Sequence, residues 1–511
     1  MSARRAVLVG SLLTGLLGAA CGSSGRPVVS APPASASSVA SAPASSASVA
    51  LETPDEAFRR QPPLPGPEGT FQAPVPADVK LPNGMRVILL ENHAMPLVAM
   101  AVVLRRGSSA GAAGAMLGPM MLQGTPGRDV SALSEAFEAL GARYRVVADD
   151  DATVVAATVL APEAGAALDL LADVVQRPTL PATELDRLRS RRLLALAAEA
   201  DLPRVVLQRA VAELLYPAGH PYRVSARPDE AALRALQRSD LVRLHGELRP
   251  DRSSLVVAGD VTREQLMAAA TRAFGGWRGR SGPLLTPATP KPGKPHVLLV
   301  DLPGAPQTSI AVAAVGARRG SPDHDALLVL NTLLSRRLNA NLRGRHAYTY
   351  GASAQFTFRQ GPGPFMAGGD VAREHTADAV REVLAEFERL RDNPVGHDEL
   401  AEVKTIVGAL SARFESVEAS VVALTPLAVH DLEDSEFLTL RVRLQMVTRE
   451  VLQKVAQTYL APGRLQLALV GDAASIEAPV RSLDFGPVEV RRASSTPRPA
   501  PPLPLDPGGD E

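Results

Sequence analysis

The same succession of strand-like and helix-like patterns occurs twice along the chain. Apolar runs typical of buried strands lie at residues 85–90 and 97–104, and again at 296–300 and 308–315. Stretches with helical periodicity follow, at residues 132–140, 166–175, 183–200, 377–390 and 397–414. A further apolar run closes each part. The pattern predicts an α+β fold in which a mainly antiparallel sheet with helices packed on it is built twice.

Short motifs recur at a nearly constant distance. The motif Arg-Arg-Gly-Ser at residues 105–108 returns at 318–321, which is an offset of 213. The sequence LVVAGD at residues 255–260 returns as LALVGD at 467–472, an offset of 212. Residues 248–252 and 460–464 also match at 212. Matches in one order at one offset predict two homologous repeats.

Composition narrows the classes of function. The 511 residues carry 54 Lys and Arg against 54 Asp and Glu, so no basic surface for nucleic acid is indicated. Hydrophobic residues make up 46% of the chain, which is enough to bury real cores. The single cysteine excludes an intramolecular disulfide framework and a zinc site built on thiolates.

That cysteine follows a pattern typical of an export signal. Arg4 and Arg5 precede an apolar run at residues 6–20, which ends in small residues and Cys21. Residues 17–21 resemble the lipobox of bacterial lipoproteins, which implies cleavage before Cys21 and acylation of its thiol. An Asp after the cysteine would resemble a signal that retains a lipoprotein in the inner membrane. The residue here is Gly22, which favours an anchor at the periplasmic face of the outer membrane. The alternative is plain signal-peptide cleavage with an unmodified thiol.

The remaining sequence divides at segments of biased composition. Residues 22–74 are rich in Ala, Ser and Pro and are predicted to be a disordered tether after the signal peptide at 1–21. A linker rich in Pro, Gly and Lys is expected at 278–295 and a Pro-rich tail at 486–511. The predicted domains are therefore residues 75–277 and 296–485.

Several motifs of the first domain, taken in order, resemble those of a known family. They are LPNGMRV at residues 81–87, Gly-Ser at 107–108, LQGT at 122–125, His-Pro-Tyr at 220–222 and Gly-Asp at 259–260. Together they resemble the insulinase/pitrilysin/processing-peptidase family of zinc metallopeptidases, over roughly residues 75–485. The resemblance implies two peptidase half-domains, and it implies a structural role for His220 in its turn.

The resemblance also implies a helix reading His-x-x-Glu-His, whose two imidazoles hold zinc while the Glu takes a proton from the bound water. The matching positions are Ala115, Gly118 and Pro119, which offer neither ligand nor base. We therefore expect no metal in this domain. None of the nine histidines restores the motif elsewhere.

Two further family positions are also changed. The third zinc ligand, a Glu, is expected where residues 193–196 read LLAL, and Glu199 is the nearest carboxylate, expected to face solvent. The Asn that assists the substrate falls near Arg145. The substrate strand of the family pairs with a sheet edge, which we expect at residues 152–160 as a vestige.

The second domain keeps what the first has lost. Residues 341–353 resemble, without a gap, the family segment whose Arg and Tyr, seven residues apart, bind the substrate backbone. Arg343 and Tyr350 occupy those positions. Such groups donate hydrogen bonds to the carbonyl that is attacked. The alternative is that both side chains only pack a loop.

This combination is similar to the non-catalytic subunits of bacterial heterodimers in the family. The hypothesis is that the chain is the substrate-binding, lipid-anchored subunit of a periplasmic zinc-peptidase heterodimer. It would be inactive alone, would bind unfolded peptides, and would act with a zinc-bearing partner that supplies the cofactor. One alternative is a membrane-tethered scaffold or peptide-binding protein unrelated to hydrolysis. Another is a self-sufficient protease with an unfamiliar metal site.

Overall fold

A six-stranded sheet forms the framework of each half of the described structure. The computed structural model describes residues 71–225, 229–281 and 286–493, so the predicted signal peptide, Cys21 and nearly all of the predicted tether lie outside the described residues. The strands of the first sheet are β1 Ala77–Lys80, β2 Arg86–Glu91, β3 Leu97–Leu104, β4 Arg143–Ala148, β5 Thr153–Leu160 and β6 Ser253–Gly259. Those of the second are β7 Val297–Asp301, β8 Gln307–Val315, β9 Thr349–Phe356, β10 Pro364–Ala372, β11 Gln466–Gly471 and β12 Val488–Arg492.

Helices connect these strands and cover the sheets. In the first half they are α1 Gly111–Met121, α2 Val130–Ala139, α3 Ala164–Gln176, α4 Ala182–Glu199, α5 Pro203–Leu215, α6 Pro221–Ser225, α7 Glu230–Ala235, α8 Arg238–His245 and α9 Arg263–Phe274. In the second they are α10 His324–Leu338, α11 Thr376–Asp392, α12 His397–Gly408, α13 Val417–His430, α14 Glu436–Gln445, α15 Arg449–Tyr459 and α16 Ala473–Arg481. A π-helix, Asn339–Arg345, continues α10. Among the described residues, no helix is both long and apolar enough to cross a membrane.

The strand orders confirm the predicted α+β fold and its repeat. The first sheet has the order β1-β2-β6-β3-β5-β4 and the second the order β12-β7-β11-β8-β10-β9. In the first sheet only β2 and β6 pair in parallel, and in the second β7 pairs in parallel with both β11 and β12. The other pairs are antiparallel. Five strands therefore follow one another in the same order in both halves, and each sheet is mainly antiparallel.

The central strands are apolar on both faces because both faces are covered. On β3, residues 98, 100, 102 and 104 join the core made with the helices of the first half. Residues 99, 101 and 103 join a different core, which contains most of the buried residues of α13. A strand that is buried on both sides reads as a continuous apolar run, which explains why residues 97–104 show no alternation.

The second face of each sheet is covered by a helix from the other half. Helix α13 of the second half packs on β2, β3 and β6 of the first sheet. Helix α5 of the first half packs on β7, β8 and β11 of the second sheet. The two helices lie at equivalent places in the two repeats. Each half therefore completes the core of the other, and the described residues belong to one compact unit.

Two boundaries differ from the sequence-based expectation. Residues 488–492 were assigned to the Pro-rich tail but form strand β12, which pairs with β7. The helix expected at 397–414 ends at Gly408, and Ala409 adopts an extended conformation. A glycine adds no side-chain contact that would continue the helix, and it carries a high entropic cost in helix interiors.

Arg86 joins the first sheet to the end of α13. It is 8% exposed, and its Nη1 and Nη2 donate to the carbonyl oxygens of Leu427 at 2.7 Å and Leu432 at 2.6 Å. Its Nε donates to Asp78 at 2.9 Å. The Leu427 carbonyl, in the last turn of α13, also accepts from the Leu432 amide at 3.0 Å, and Leu432 follows the helix. Arg86 therefore adds a charged donor at the C-terminal end of α13 from the neighbouring half, where a cation is favourable.

Replacing Arg86 by Met is expected to lower the free energy of unfolding by about 3 kcal/mol, because buried carbonyls and a carboxylate lose a charged donor. Urea unfolding followed by circular dichroism measures the change. Arg272→Met is the matched control, since Arg272 pairs with Asp169 at the surface and such pairs contribute less than about 1 kcal/mol. Equal effects of the two substitutions would contradict the role given to Arg86.

Candidate functional site

Helix α1 holds the three positions that correspond to the zinc motif. Ala115 and Pro119 are half-buried and Gly118 is buried. Neither an alanine nor a proline side chain has a lone pair for a metal. A Cβ atom at residue 118 would lie 2.9 Å from Val146 Cγ2 and 3.1 Å from Thr153 Cγ2. These strand side chains therefore fill the space that a catalytic Glu would need.

Helix α4 supplies no third ligand. The Glu is expected within residues 193–196, which have only apolar side chains, and Leu196 is 1% exposed in the core of the first half. The expectation that Glu199 faces solvent is wrong: its side chain is 18% exposed and its Oε1 lies 3.0 Å from Arg192 Nη1. The ion pair with Arg192 holds the Glu199 carboxylate against helix α4 and so shields it from solvent.

The residues present on α1 and α4 do not fit a zinc ion. Within the described ranges, no group of three or more His, Cys, Asp or Glu side chains is placed to hold a metal. Both ring nitrogens of His220, the histidine of the His-Pro-Tyr motif, have hydrogen-bond partners. Its Nε2 lies 3.0 Å from the carbonyl oxygen of Ala288 and its Nδ1 accepts from the Tyr222 amide.

The sheet edge beside α1 is strand β4. The expectation that residues 152–160 form this edge is wrong, because β5 lies between β3 and β4. Arg145, at the position near the assisting Asn of the family, stands on β4 itself. In the described structure β4 pairs only with β5, so its outer edge carries unpaired backbone groups that a peptide strand could use.

The corresponding edge of the second sheet is closed. Strand β9 is the outer strand there, and side chains from successive turns of α10 and the π-helix accept from its amides. The pairs are Phe356 with Asn331 at 3.0 Å, Ala354 with Ser335 at 2.9 Å and Ala352 with Asn339 at 3.1 Å. At the repeat offset of 213, Gly118 corresponds to Asn331, so α1 has no such acceptor.

Arg343 and Tyr350 lie on adjoining elements of the second half. Arg343 is exposed on the π-helix, and Tyr350 is 89% exposed near the start of β9. Neither side chain makes a hydrogen bond, ion pair or ring contact with any residue in the described part of the chain. The two groups do not pack the loop, so their donors are free for a ligand.

The segment between them is held firmly from behind. Asn341 is 3% exposed and donates to Glu382 at 2.7 Å and to Glu386 at 2.9 Å. The Tyr348 amide donates to Leu342 at 2.8 Å, which ties the π-helix to the following strand. The ring of Tyr348 stacks between His346 and His375 at 4.9 and 4.4 Å. These contacts fix the segment of the chain that carries Arg343 and Tyr350.

A buried polar cluster at the junction of the halves escaped the sequence reasoning. Tyr222 donates to Asp151 at 2.9 Å and accepts from the Gly361 amide at 2.8 Å. Arg359 lies over the Tyr222 ring and pairs with Asp150 at 2.6 Å. Burial raises the pKa of both Asp151 and Tyr222. The signals available were the His-Pro-Tyr motif and the three consecutive aspartates at 149–151.

Two family models match this chain. Residues 86–220 match the model described as Insulinase (Peptidase family M16), and residues 235–407 match the model described as Peptidase M16 inactive domain. Together they cover more than half of the chain. The protein therefore belongs to the insulinase family, peptidase family M16, as the motifs and the repeated fold predicted.

Several curated relatives align with part of the chain. An uncharacterised zinc protease of Mycobacterium bovis is 28% identical over 296 residues, which cover 55% of this chain and 66% of that protein. A probable mitochondrial-processing peptidase subunit beta of Arabidopsis thaliana is 28% identical over 58% of this chain and 57% of its own length. Subunit 1 of the cytochrome b-c1 complex of Bos taurus is 26% identical over 54% and 57%. The chain thus spans less than two thirds of these relatives.

Solved structures show the same fold. A peptidase M16 inactive domain from Pseudomonas fluorescens superposes with a TM-score of 0.72 at 23% identity, over 78% of this chain and 98% of that one. The first half of the periplasmic protease PqqL from Escherichia coli superposes with a TM-score of 0.66 at 16% identity, over 81% and 97%. At these identities the likeness concerns the fold alone.

Adding a methyl group at residue 118 tests how completely the former site is filled. Gly118→Ala is expected to lower the free energy of unfolding by about 1–3 kcal/mol, because Val146 and Thr153 must move. Gly463→Ala is the control, since a Cβ there meets no atom within 4 Å. Urea unfolding compares the two, and a neutral Gly118→Ala would show that α1 has room to spare.

Proposed function

We propose that this chain is the non-catalytic, peptide-binding subunit of a zinc-peptidase heterodimer. The proposal rests on one combination of features. Helix α1 has no metal ligands, while Arg343 and Tyr350 are exposed and have no partner among the described residues. Zinc and the proton-accepting Glu come from a homologous partner. This subunit contributes the two donors and a peptide-binding edge, and it is inactive alone.

The chemistry of the two donors suits an acyl-transfer transition state. A guanidinium donates paired hydrogen bonds to a carbonyl, and a phenol adds one more to the oxygen on which negative charge develops. Donors that are fixed before the substrate arrives need no reorganisation. The contacts of Asn341 and Tyr348 supply that fixation, and the exposure of Tyr350 leaves its hydroxyl accessible.

The peptide is proposed to bind as an added strand. Its backbone would pair with the open outer edge of β4, since strand addition satisfies exposed amides and carbonyls on both partners. Unfolded peptides suit this mode because they already offer extended backbone. The closed edge of β9 offers no equivalent place.

The location proposed is the periplasmic face of the outer membrane, with Cys21 as the lipid anchor. The export pattern of residues 4–21 supports it, and so does the likeness in fold to a periplasmic protease of Escherichia coli. The Arabidopsis and bovine relatives bear the names of subunits, which supports a role within an assembly.

A second candidate function is a scaffold or peptide-binding protein with no part in hydrolysis. The likeness to subunit 1 of the bovine cytochrome b-c1 complex favours it. The same exposed residues would then hold a peptide without a reaction. A zinc-bearing homologue encoded beside this chain would favour the heterodimer.

Reconstitution tests the proposed role. The full chain is mixed with a homologue that has an intact His-x-x-Glu-His motif, and cleavage of a fluorogenic unfolded peptide is followed. We expect cleavage only with both chains, and a loss of about 100- to 1,000-fold in kcat/KM for Arg343→Ala or Tyr350→Phe, as for other donors to a developing oxyanion.

Arg345→Ala is the matched control in the same experiment. Arg345 is exposed on the same π-helix, so its removal changes the charge equally and should leave cleavage within twofold. The heterodimer role fails if Arg343→Ala and Tyr350→Phe both leave the gain in cleavage unchanged.

The anchor is tested separately. Cys21→Ser is expected to abolish incorporation of labelled palmitate and to release the protein from the membrane fraction. A Cys21→Ser chain that still sediments with outer membranes and still takes up palmitate would contradict lipidation at this residue.

A further inference from the structure

A cleft of about 520 Å³ lies between the edge of the first sheet and the N-terminal turn of α13. Its floor is formed by small residues, among them Ala99 on β3 and Ala156 on β5. Arg143 and Arg145 of β4 line one side, and Glu418 of α13 lines the other. The cleft therefore combines a shallow apolar floor with a charged rim.

The register of β4 sends both arginines to this cleft. Arg143 lies opposite Thr158 and Arg145 opposite Ala156 on β5, and alternate residues of a strand share one face. Tyr144 points the other way and stacks on Phe137 at 4.3 Å between ring centroids. A one-residue slip would expose that ring, so the arginines are fixed on the cleft face.

The charges in the cleft do not balance. Arg143 forms an ion pair with Glu418. Arg145 makes no hydrogen bond or ion pair with any residue that the structure describes. The cleft therefore holds two cations and one anion. The side chains of its floor are small and leave room beside the Arg145 guanidinium for another side chain.

We propose that this cleft binds an acidic side chain of the peptide that lies along β4, with Arg145 as its main ligand. The proposal rests on the peptide-binding role proposed above and names its substrate class: peptides with Asp or Glu at that position. A strand added to β4 places side chains about 4.5–5.5 Å from their cross-strand neighbours, measured between Cβ atoms. At that separation of the Cβ atoms, the guanidinium of an Arg can reach the carboxylate of its cross-strand neighbour and bind it through two parallel hydrogen bonds.

Two fluorescein-labelled ten-residue peptides test the proposal by fluorescence anisotropy with the full chain. They alternate Val and Thr and differ only in a central Glu or Gln. We expect the Glu peptide to bind about tenfold more tightly at low salt, because only it pairs with Arg145. Arg145→Gln should remove the preference, and Arg145→Glu should transfer it to a peptide with a central Lys.

Arg263→Gln is the matched control, since Arg263 is an exposed arginine on α9 away from the lining of the cleft. It should keep the tenfold preference. Equal binding of the Glu and Gln peptides by the unchanged chain, with both weakened by Arg343→Ala, would overturn the cleft while leaving the peptide-binding role. A preference that survives Arg145→Gln also overturns it. Binding of neither peptide would overturn both.

Discussion

The need to cover two apolar faces of each sheet governs the architecture. Strand β6 is buried throughout and β3 at every residue after Leu97, and a strand of this kind needs packed side chains on both sides. Each half supplies a helix layer for one face and lends a single helix to the other half for the second. Burial of apolar area is the main favourable contribution to folding, so each half stabilises the core of the other through the helix that it contributes. The hydrogen bonds of Arg86 at the end of α13 and the polar cluster around Tyr222 fix the lent helix and the junction in place.

The two exchanged helices also determine which surfaces of the sheets stay open. Helix α13 packs on β2, β3 and β6, and its first turn reaches β4 through the ion pair of Glu418 with Arg143. This arrangement leaves the cleft beside Arg145 and the open edge next to it. In the second half the edge is occupied by side chains of α10 and the π-helix, and the exposed groups are instead Arg343 on the π-helix and Tyr350 on β9. The two repeats therefore share a fold and differ at their sheet edges. The first has an outer strand with unpaired backbone groups, and the second has exposed Arg and Tyr side chains.

Much of the fold was readable from the sequence, because the signals were local. The apolar run at 97–104 coincides with β3, and the periodicity at 166–175 lies within α3 Ala164–Gln176. The repeat offset correctly predicted two equivalent sheets. The helix exchange was not predictable, since α5 and α13 have the same apolar character wherever they pack. The edge strand could not be identified from the sequence for a similar reason. Strand β5 has a strongly apolar sequence that is typical of a strand, whereas the outer strand β4 alternates exposed and half-buried residues. Positions 115, 118, 119, 343 and 350 could be located by their motifs, but the filled space around Gly118 and the exposure of Tyr350 required coordinates.

The alternating arginines of β4 have a consequence for the protein in its own company. An open strand edge is a place where two copies of a chain can join and begin to aggregate. If two β4 edges met in antiparallel register, Arg143 and Arg145 of one copy would face those of the other, and like charges directly opposite one another repel. The same two cations that would attract an acidic strand would therefore oppose the pairing of identical molecules through this edge.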